Sequence, residues 1–201
     1  MVLLAIDTSG AILSVALLTE DGAVYAKQQQ MERGQGEALI PLIQKLSVEA
    51  GQNVKNIRAI AVAVGPGSFT GVRIGLSCAK AFGLALNVPV WGVSNLEAQA
   101  YGIKNDLVVV LDSKRGDYFV QRFKKGKPTD KPHIESVEDL KKKQPFTAIG
   151  DGAQSLKDVC DCKIIKQQEP IAVAVAKIAL ARRDNPLPAE PLYLRQADVT
   201  V

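Results

Sequence analysis

Short apolar runs separated by polar turns make up the first thirty residues of the chain. Apolar runs of this kind, bounded by Asp, Ser and Gly, are typical of β-strands joined by tight turns. They predict three strands, at residues 2–6, 12–18 and 23–29. The first run ends in Asp7-Thr8-Ser9-Gly10, so we expect a polar turn directly after the first strand.

The pattern changes to helical spacing over residues 37–50, and a glycine follows as a stop signal. The apolar stripe of this predicted helix consists of Leu39, Leu42, Ile43 and Leu46. The next run, residues 58–64, is continuously apolar, as in a strand that is buried on both faces. The order up to this point is therefore three strands, a helix and a strand.

A glycine-rich turn then leads into a helix predicted over residues 70–86. Small residues recur at every fourth position of this helix, at Gly71, Gly75, Ala79 and Gly83. Glycine inside a helix costs about 1 kcal/mol relative to alanine, so such a track indicates that another backbone approaches closely. That backbone belongs either to the chain's own sheet or helix 37–50, or to another subunit.

The turn resembles a phosphate-binding loop but lacks both specific patterns. Thr70 stands where the Walker A loop and the dinucleotide fingerprint each require a glycine, and no Gly-Lys pair follows. A helix N-terminus attracts anions in general, and Arg73 in the first turn opposes the helix dipole unless it faces an anion or an acidic partner. The alternative is that Ser68 or Thr70 merely caps the helix.

The second half of the chain repeats the pattern of the first. After a strand at 88–93 and a helix at 94–102, an apolar run again ends in Asp112-Ser113, and a further strand follows at 117–123. This repeat predicts a duplicated α/β architecture, with an N-terminal lobe at 1–104 and a smaller C-terminal lobe at 105–201. The alternative is that any α/β chain offers two strands that end in Asp.

The remaining elements complete the predicted smaller lobe. We expect a basic loop at 123–133, a short helix that ends at the lysines 141–143, a strand at 146–149 and a helix at 171–183. The tail beyond this helix has three prolines and is expected to be extended and to wrap back over the body of the protein.

Composition narrows the class of protein. The chain has 201 residues, of which 47% are hydrophobic and 23% charged, with a net charge of +4, so it has enough apolar residues for a sizeable core. Its three cysteines form no CxxC pair, the N-terminus has no basic region, and we find no run of about 18 apolar residues. We therefore expect a cytoplasmic protein without a membrane segment. A single histidine, His133, argues against metalloprotease and Ser-His-Asp chemistry.

Five motifs together resemble the bacterial TsaB (YeaZ) family. They are LLAIDTS, LIPLI, GPGSFTGVRIG, LDSKRGDYF and PLYLR, and they follow the family order from residue 3 to about residue 195. The resemblance implies two actin-like, ribonuclease-H-like lobes of the actin, sugar-kinase and Hsp70 (ASKHA) superfamily, with mixed sheets flanked by helices. One departure is Gln35, which stands where many relatives have a histidine.

The resemblance also implies a function without catalysis by this chain. Family members act as scaffold or activator of the catalytic paralogue TsaD, and together with the ATPase TsaE they transfer threonylcarbamoyl to the adenosine beside the tRNA anticodon. The assembled complex uses ATP and Mg²⁺, no cofactor is bound tightly by this subunit, tRNA is met through the complex, and the isolated protein forms a homodimer.

The family interface with TsaD lies on the two N-lobe helices. Carried over to this chain, it consists of Leu39, Leu42, Ile43, Leu46, Arg73, Gly75 and Ala79. On this basis Gly75→Leu is expected to disturb pairing more than folding.

Three other functions stay open on the residues alone. An ATP-dependent phosphotransferase of the same superfamily would use the two lobe entrances and the glycine turn, with Asp7, Thr8, Ser9, Gly65, Gly67, Ser68, Thr70 and Asp112 as weak candidates for anion or nucleotide binding. The short chain argues against it. A ribonuclease-H-like nuclease would need several converging carboxylates, which the sequence does not indicate. Direct RNA contact would use Arg122, Lys124, Lys125, Lys127 and Lys131, although a solvated basic hairpin is favoured.

Overall fold

A computed structural model describes residues 1–195 as two six-stranded sheets with flanking helices. The first sheet contains β1 (Val2–Asp7), β2 (Ile12–Leu18), β3 (Val24–Gln30), β4 (Ile57–Ala63), β5 (Val90–Val93) and β12 (Leu187–Pro188). The second contains β6 (Leu107–Asp112), β7 (Tyr118–Lys124), β8 (Lys127–Pro128), β9 (His133–Glu135), β10 (Phe146–Ile149) and β11 (Cys162–Ile164). The helices are α1 (Gln35–Glu49), α2 (Phe69–Leu86), α3 (Asn95–Ala100), α4 (Val137–Lys141) and α5 (Ile171–Ala181).

The first sheet is mixed and has the order β12-β5-β4-β1-β2-β3. Strand β1 is antiparallel to β2 and parallel to β4, and all six of its residues are buried. Because alternate side chains of a strand point to opposite faces, Leu4 and Ile6 pack in one core with α1 and α2, whereas Leu3 and Ala5 pack in a second core with α5. Burial on both faces explains why the first run reads as continuously apolar.

The second sheet repeats the plan of the first. Its order β11-β10-β6-β7-β8 corresponds to β5-β4-β1-β2-β3, with β6 antiparallel to β7 and parallel to β10. The predicted repeat is therefore present in the strand order. The α/β fold with two mixed sheets and flanking helices is also confirmed.

The last helix of each half packs on the sheet of the other half. Helix α3 follows the first sheet, but its Leu96 and Ala100 pack with Val109 and Leu111 of the second sheet. Helix α5 follows the second sheet, but it covers β1, β2 and β4 of the first. Helix α5 and strand β12 thus pack with the first sheet although they follow the second sheet in the chain. Periodicity shows that α5 is buried without showing which sheet buries it.

Most predicted elements are present with bounds shifted by a few residues. The elements that the patterning did not predict are short: β8, β9, β11 and the 3₁₀ turns Val54–Asn56 and Gln154–Leu156. The tail does wrap back over the body, since β12 pairs with β5.

Helix α2 departs from the expectation that no segment is apolar over about 18 residues. By length and composition alone it could cross a membrane, a test that core helices also pass. Its buried residues face this chain's own sheet, however, and it carries Arg73 and Lys80 on its exposed side. Packing within the fold therefore accounts for the apolar residues on one side of this helix.

Candidate functional site

The polar turn after β1 is a buried hydrogen-bonded hub formed by Asp7, Ser9 and Asn95. The backbone N–H and the hydroxyl of Ser9 both donate to Asp7 Oδ1, at 2.9 and 2.6 Å. Asn95 Nδ2 donates to the same oxygen at 3.4 Å and also to Ser9 Oγ. All three residues are at most 6% exposed, so the turn is closed to solvent.

Asn95 also ties this buried hub to the glycine turn. Its Oδ1 accepts from the N–H of Gly65 at 2.8 Å, and its own N–H donates to the Gly65 carbonyl at 2.9 Å. Asn95 lies in the first turn of α3 behind the capping residue Ser94. Asn95 was not among the predicted site residues, because no local signal links a residue at this position to a strand end 88 residues away.

The environment of Asp7 opposes its ionisation. Burial raises the pKa of its carboxyl group, and the hydrogen bonds from Ser9 and Asn95 only partly offset this effect. The carboxyl group of Asp7 is thus engaged by Ser9 and Asn95 within the hub and is not presented to a ligand in solution.

Groups of the glycine turn are likewise hydrogen-bonded within the chain. The N–H of Ser68 donates to the Ser9 carbonyl at 2.7 Å, and Ser68 Oγ accepts from the Gly71 N–H at 3.2 Å, which makes Ser68 the N-cap of α2. A Cβ atom at Gly67 would lie 2.7 Å from the Ser9 carbonyl oxygen, so this position requires glycine. Of the two capping candidates, Ser68 caps the helix, whereas Thr70 is exposed.

Thr8 fixes the start of α2 against β1. Its Oγ1 donates to the Gly71 carbonyl at 2.6 Å and is buried. A Cβ atom at Gly75 would lie 2.6 Å from the same Oγ1. Two glycines of the small-residue track thus face the chain's own first strand, which favours the first of the two predicted roles of the track.

Asp112 occupies the equivalent turn of the second lobe and has different partners. Its carboxylate accepts from the Lys114 N–H at 2.6 Å and from Lys114 Nζ at 2.8 Å, while its own N–H donates to Asp151 Oδ1 at 2.9 Å. Burial opposes ionisation of Asp112, but the hydrogen bonds and charge of Lys114 outweigh it and lower the pKa. The structure thus gives Asp7 and Asp112 separate sets of partners.

The described part of the chain contains no group of three His, Cys, Asp or Glu side chains that could hold a metal ion. His133 is a half-exposed residue of β9, and its Nε2 lies 2.6 Å from Glu135 Oε1. Arg122 donates to both oxygens of Glu135 at 2.8 Å. His133 is therefore not the loop residue that was expected, and Arg122 is engaged within the second lobe rather than free for RNA.

Several predicted interface residues on α1 and α2 point into the protein. Leu39, Ile43, Leu46 and Ala79 are 0–1% exposed and pack in the core between these helices and the first sheet. Gly75 faces Thr8. An apolar stripe at helical spacing marks the buried face of a helix, and here that face meets the chain's own sheet. These five residues are therefore buried within the chain's own fold.

The exposed side of the same helices carries a different set of apolar residues. An open groove of about 590 Å³ runs between α1 and α2, with walls that include Ile40, Phe69, Arg73, Ile74 and Phe82. Ile40 is 41% exposed and Phe69 is 53% exposed. Leu42 is half-buried and packs against the core below the groove. Two large apolar side chains, Ile40 and Phe69, are therefore exposed to solvent at this groove.

Gln35 is the first residue of α1. Its side-chain amide donates to the Met31 carbonyl at 3.4 Å, and it is half-buried.

Sequence comparisons connect the chain to tRNA modification proteins. The model of the family described as TsaD, tRNA N6-adenosine threonylcarbamoyltransferase, matches residues 28–187. The chain is 29% identical over 226 residues to the tRNA threonylcarbamoyladenosine biosynthesis protein TsaB of Escherichia coli, covering 97% of this chain and 95% of that protein. It is 30% identical over 207 residues to TsaB of Bacillus subtilis, covering 96% and 86%.

Solved structures confirm the fold. YeaZ from Pseudomonas aeruginosa matches with a TM-score of 0.79 at 24% identity, over 96% of this chain and 99% of that chain. The polyphosphate/ATP-glucomannokinase from an Arthrobacter strain matches with a TM-score of 0.51 at 12% identity, over 90% of this chain and 99% of that chain. The chain thus shares its fold with both of these proteins.

Proposed function

Because this chain belongs to the TsaB (YeaZ) family, we propose that it is a non-catalytic subunit in tRNA threonylcarbamoyladenosine biosynthesis that pairs with the catalytic subunit TsaD. The participation in this pathway follows from the family. In the pairing that we propose, this chain acts as a scaffold or activator while TsaD transfers threonylcarbamoyl to the adenosine beside the anticodon.

Groups at the superfamily's phosphate-binding positions are hydrogen-bonded within this chain, and this supports a role without catalysis. The Asp7 carboxylate is buried and bonded to Ser9 and Asn95. The N–H of Ser68 is likewise directed to the Ser9 carbonyl. A phosphotransferase would need such groups to face a nucleotide and its metal ion. We expect the purified chain alone neither to hydrolyse ATP nor to modify tRNA, and turnover that Asp7→Ala abolishes would favour the phosphotransferase instead.

The proposed pairing with TsaD rests on the exposed apolar groove between α1 and α2. Its shape and lining suit an amphipathic helix, which lays its apolar side chains into such a groove. We propose that a helix of the TsaD subunit occupies it, and that a second copy of this chain occupies it when the protein is isolated. The assembled complex would also include the ATPase TsaE, use ATP and Mg²⁺, receive tRNA and operate in the cytoplasm.

The pathway assignment is tested by depleting the protein in its own cells and analysing the nucleosides of total tRNA. We expect threonylcarbamoyladenosine to fall, and a plasmid copy of the wild-type gene to restore it. Unchanged threonylcarbamoyladenosine after full depletion would contradict the assignment.

The docking face is tested with a matched pair of charge substitutions on α1. Ile40→Asp places a carboxylate in the groove, and we expect it to weaken binding of TsaD by more than about tenfold, because docking would have to remove water from that charge. Val48→Asp is the control, since Val48 lies on the same helix, is 81% exposed and does not line the groove. Equal affinities of the two variants in a titration with purified TsaD would place the interface elsewhere.

A further inference from the structure

The tail segment, residues 187–195, is fastened to the first lobe beside the glycine turn. Its β12 pairs with β5, with Leu187 opposite Gly92. The Leu192 N–H donates to the Val64 carbonyl at 2.8 Å, at the residue before the turn. The backbone of this segment is thus held in place where it passes the start of α2.

From this position Tyr193 contacts two residues of α2. Its ring stacks on Phe69 with a centroid separation of 5.7 Å and an interplanar angle of 30°. Its hydroxyl accepts from Arg73 Nε at 3.1 Å, and Arg73 Cζ lies 3.8 Å from the centroid of the Phe69 ring. The guanidinium group is therefore oriented by a cation–π contact and a hydrogen bond at the same time.

The segment continues from this cluster to the second lobe. Arg195 Nη2 donates to Asp117 Oδ2 in the turn between β6 and β7. Asp117 Oδ1 in turn accepts from the Ser113 hydroxyl. The segment is anchored on both lobes, so Tyr193 lies between two fixed points.

Arg73 itself has no carboxylate partner within residues 1–195. Helix α2 carries no Asp or Glu at all. Of the five N–H donors of a guanidinium group, one is directed to Tyr193, and the side chain is exposed at the edge of the groove. An oriented guanidinium with unused donors matches the geometry of a carboxylate, which it binds through two parallel hydrogen bonds.

We infer that Arg73 binds a carboxylate of the docked subunit and that Tyr193 is the residue that positions it, an inference that rests on the proposed function. A protein carboxylate is favoured over an RNA phosphate because Arg73 borders an apolar groove, and RNA contact requires several neighbouring cations. Arginine and tyrosine are also the residues that contribute most to protein interfaces.

The test is a double-mutant cycle measured by titration with purified TsaD. Arg73→Gln removes the charge, and we expect about tenfold weaker binding. Tyr193→Ala frees the arginine, and we expect about fivefold weaker binding. The double variant is expected to bind no more weakly than Arg73→Gln alone, because Tyr193 acts through Arg73. Lys55→Gln is the control, since Lys55 is exposed before β4, at the opposite end of that strand from the start of α2, where Arg73 lies.

The outcomes distinguish a failure of this inference from a failure of the proposed function. If the wild-type chain does not bind TsaD, the proposed function fails and the inference fails with it. If the wild type binds and Arg73→Gln binds within twofold of it, only the inference is wrong. Additive effects of the two substitutions would contradict the positioning role of Tyr193. A loss of affinity for labelled tRNA, with binding of TsaD unchanged, would identify the ligand as a phosphate.

Discussion

Asp7 stands at the carboxyl end of β1, beside a glycine turn, where many α/β proteins place groups that bind a ligand. In this chain Ser9 and Asn95 take up its carboxylate instead, and the hub is closed to solvent. The identity of the residue therefore made it a weak candidate for ligand binding, whereas its hydrogen-bond partners show that it is engaged within the chain. The same carboxylate makes the stability of the protein depend on pH.

We expect the free energy of unfolding of Asp7→Asn, relative to that of the wild type, to increase as the pH rises. Below the ordinary pKa of 3.8 the carboxyl group is protonated in both states. Above it, the unfolded chain ionises while the buried group keeps its proton, so the wild type loses stability until the raised pKa is passed. The loss is about 1.4 kcal/mol for each unit by which the pKa is raised.

The measurement is urea unfolding of both proteins at several pH values between 3.5 and 7, a range that begins at about the ordinary pKa of aspartate. Asp184→Asn is the control, because the Asp184 side chain is 97% exposed. A difference between wild type and Asp7→Asn that stays constant or shrinks with increasing pH would contradict the raised pKa of Asp7.

At the scale of single elements, α2 has two different sides, one packed against the chain's own sheet and one exposed. Its small residues let the helix approach β1, where Gly71 and Gly75 meet Thr8. Its opposite side exposes Phe69, Arg73 and Leu84. The spacing of the glycines predicted a close backbone contact, but the sequence left open whether the contact was internal or with another subunit. The expectation that Gly75→Leu mainly disturbs pairing is therefore revised, because Gly75 packs inside the chain.

We now expect substitution of Gly75 to destabilise the fold itself. Gly75→Ala places a methyl group 2.6 Å from the position of Thr8 Oγ1. Alanine improves helix propensity by about 1 kcal/mol, but overpacking costs about 1–3 kcal/mol and breaks the bond from Thr8 to Gly71. The net result expected in a thermal or urea unfolding experiment is a loss of about 1–2 kcal/mol.

Gly36→Ala provides the matched control on the neighbouring helix. Gly36 lies in α1 and is exposed, and an added Cβ atom would come no closer than 4.0 Å to Ile74 Cδ1. We expect this change to stabilise the protein by about 0.5–1 kcal/mol. If Gly75→Ala and Gly36→Ala shifted stability in the same direction, the close approach at Gly75 would not be the cause of the effect of Gly75→Ala.

At the scale of the whole molecule, the two halves of the repeat are joined by exchanged helices and by the tail. Helix α3 packs on the second sheet, and α5 packs on the first. The tail segment then returns to β5 and reaches Asp117. Neither sheet is therefore covered by the residues of its own half alone.

This arrangement predicts that the first half of the repeat does not fold alone. A fragment of residues 1–104 would lack α5 and would expose the face of the sheet that includes Leu3, Ala5 and Ala61. We expect such a fragment to aggregate or to lack cooperative unfolding, whereas a fragment of residues 1–195 unfolds cooperatively. Size-exclusion chromatography and circular dichroism distinguish the two, and a monomeric, cooperatively folded 1–104 fragment would contradict the prediction.

The sequence by itself determined the family and most of the elements, and it offered Ser68 as one of two capping candidates, because apolar periodicity, turn residues and motifs act over a few neighbouring residues. Only the tertiary structure decided that Leu39 and Ile43 face inward, that Asn95 joins Asp7 to Gly65, that α5 covers the first sheet and that Tyr193 holds Arg73. These contacts connect segments that are far apart in the chain. Local spacing shows which side of a helix is apolar, but which surface it meets depends on the packing of all the elements together.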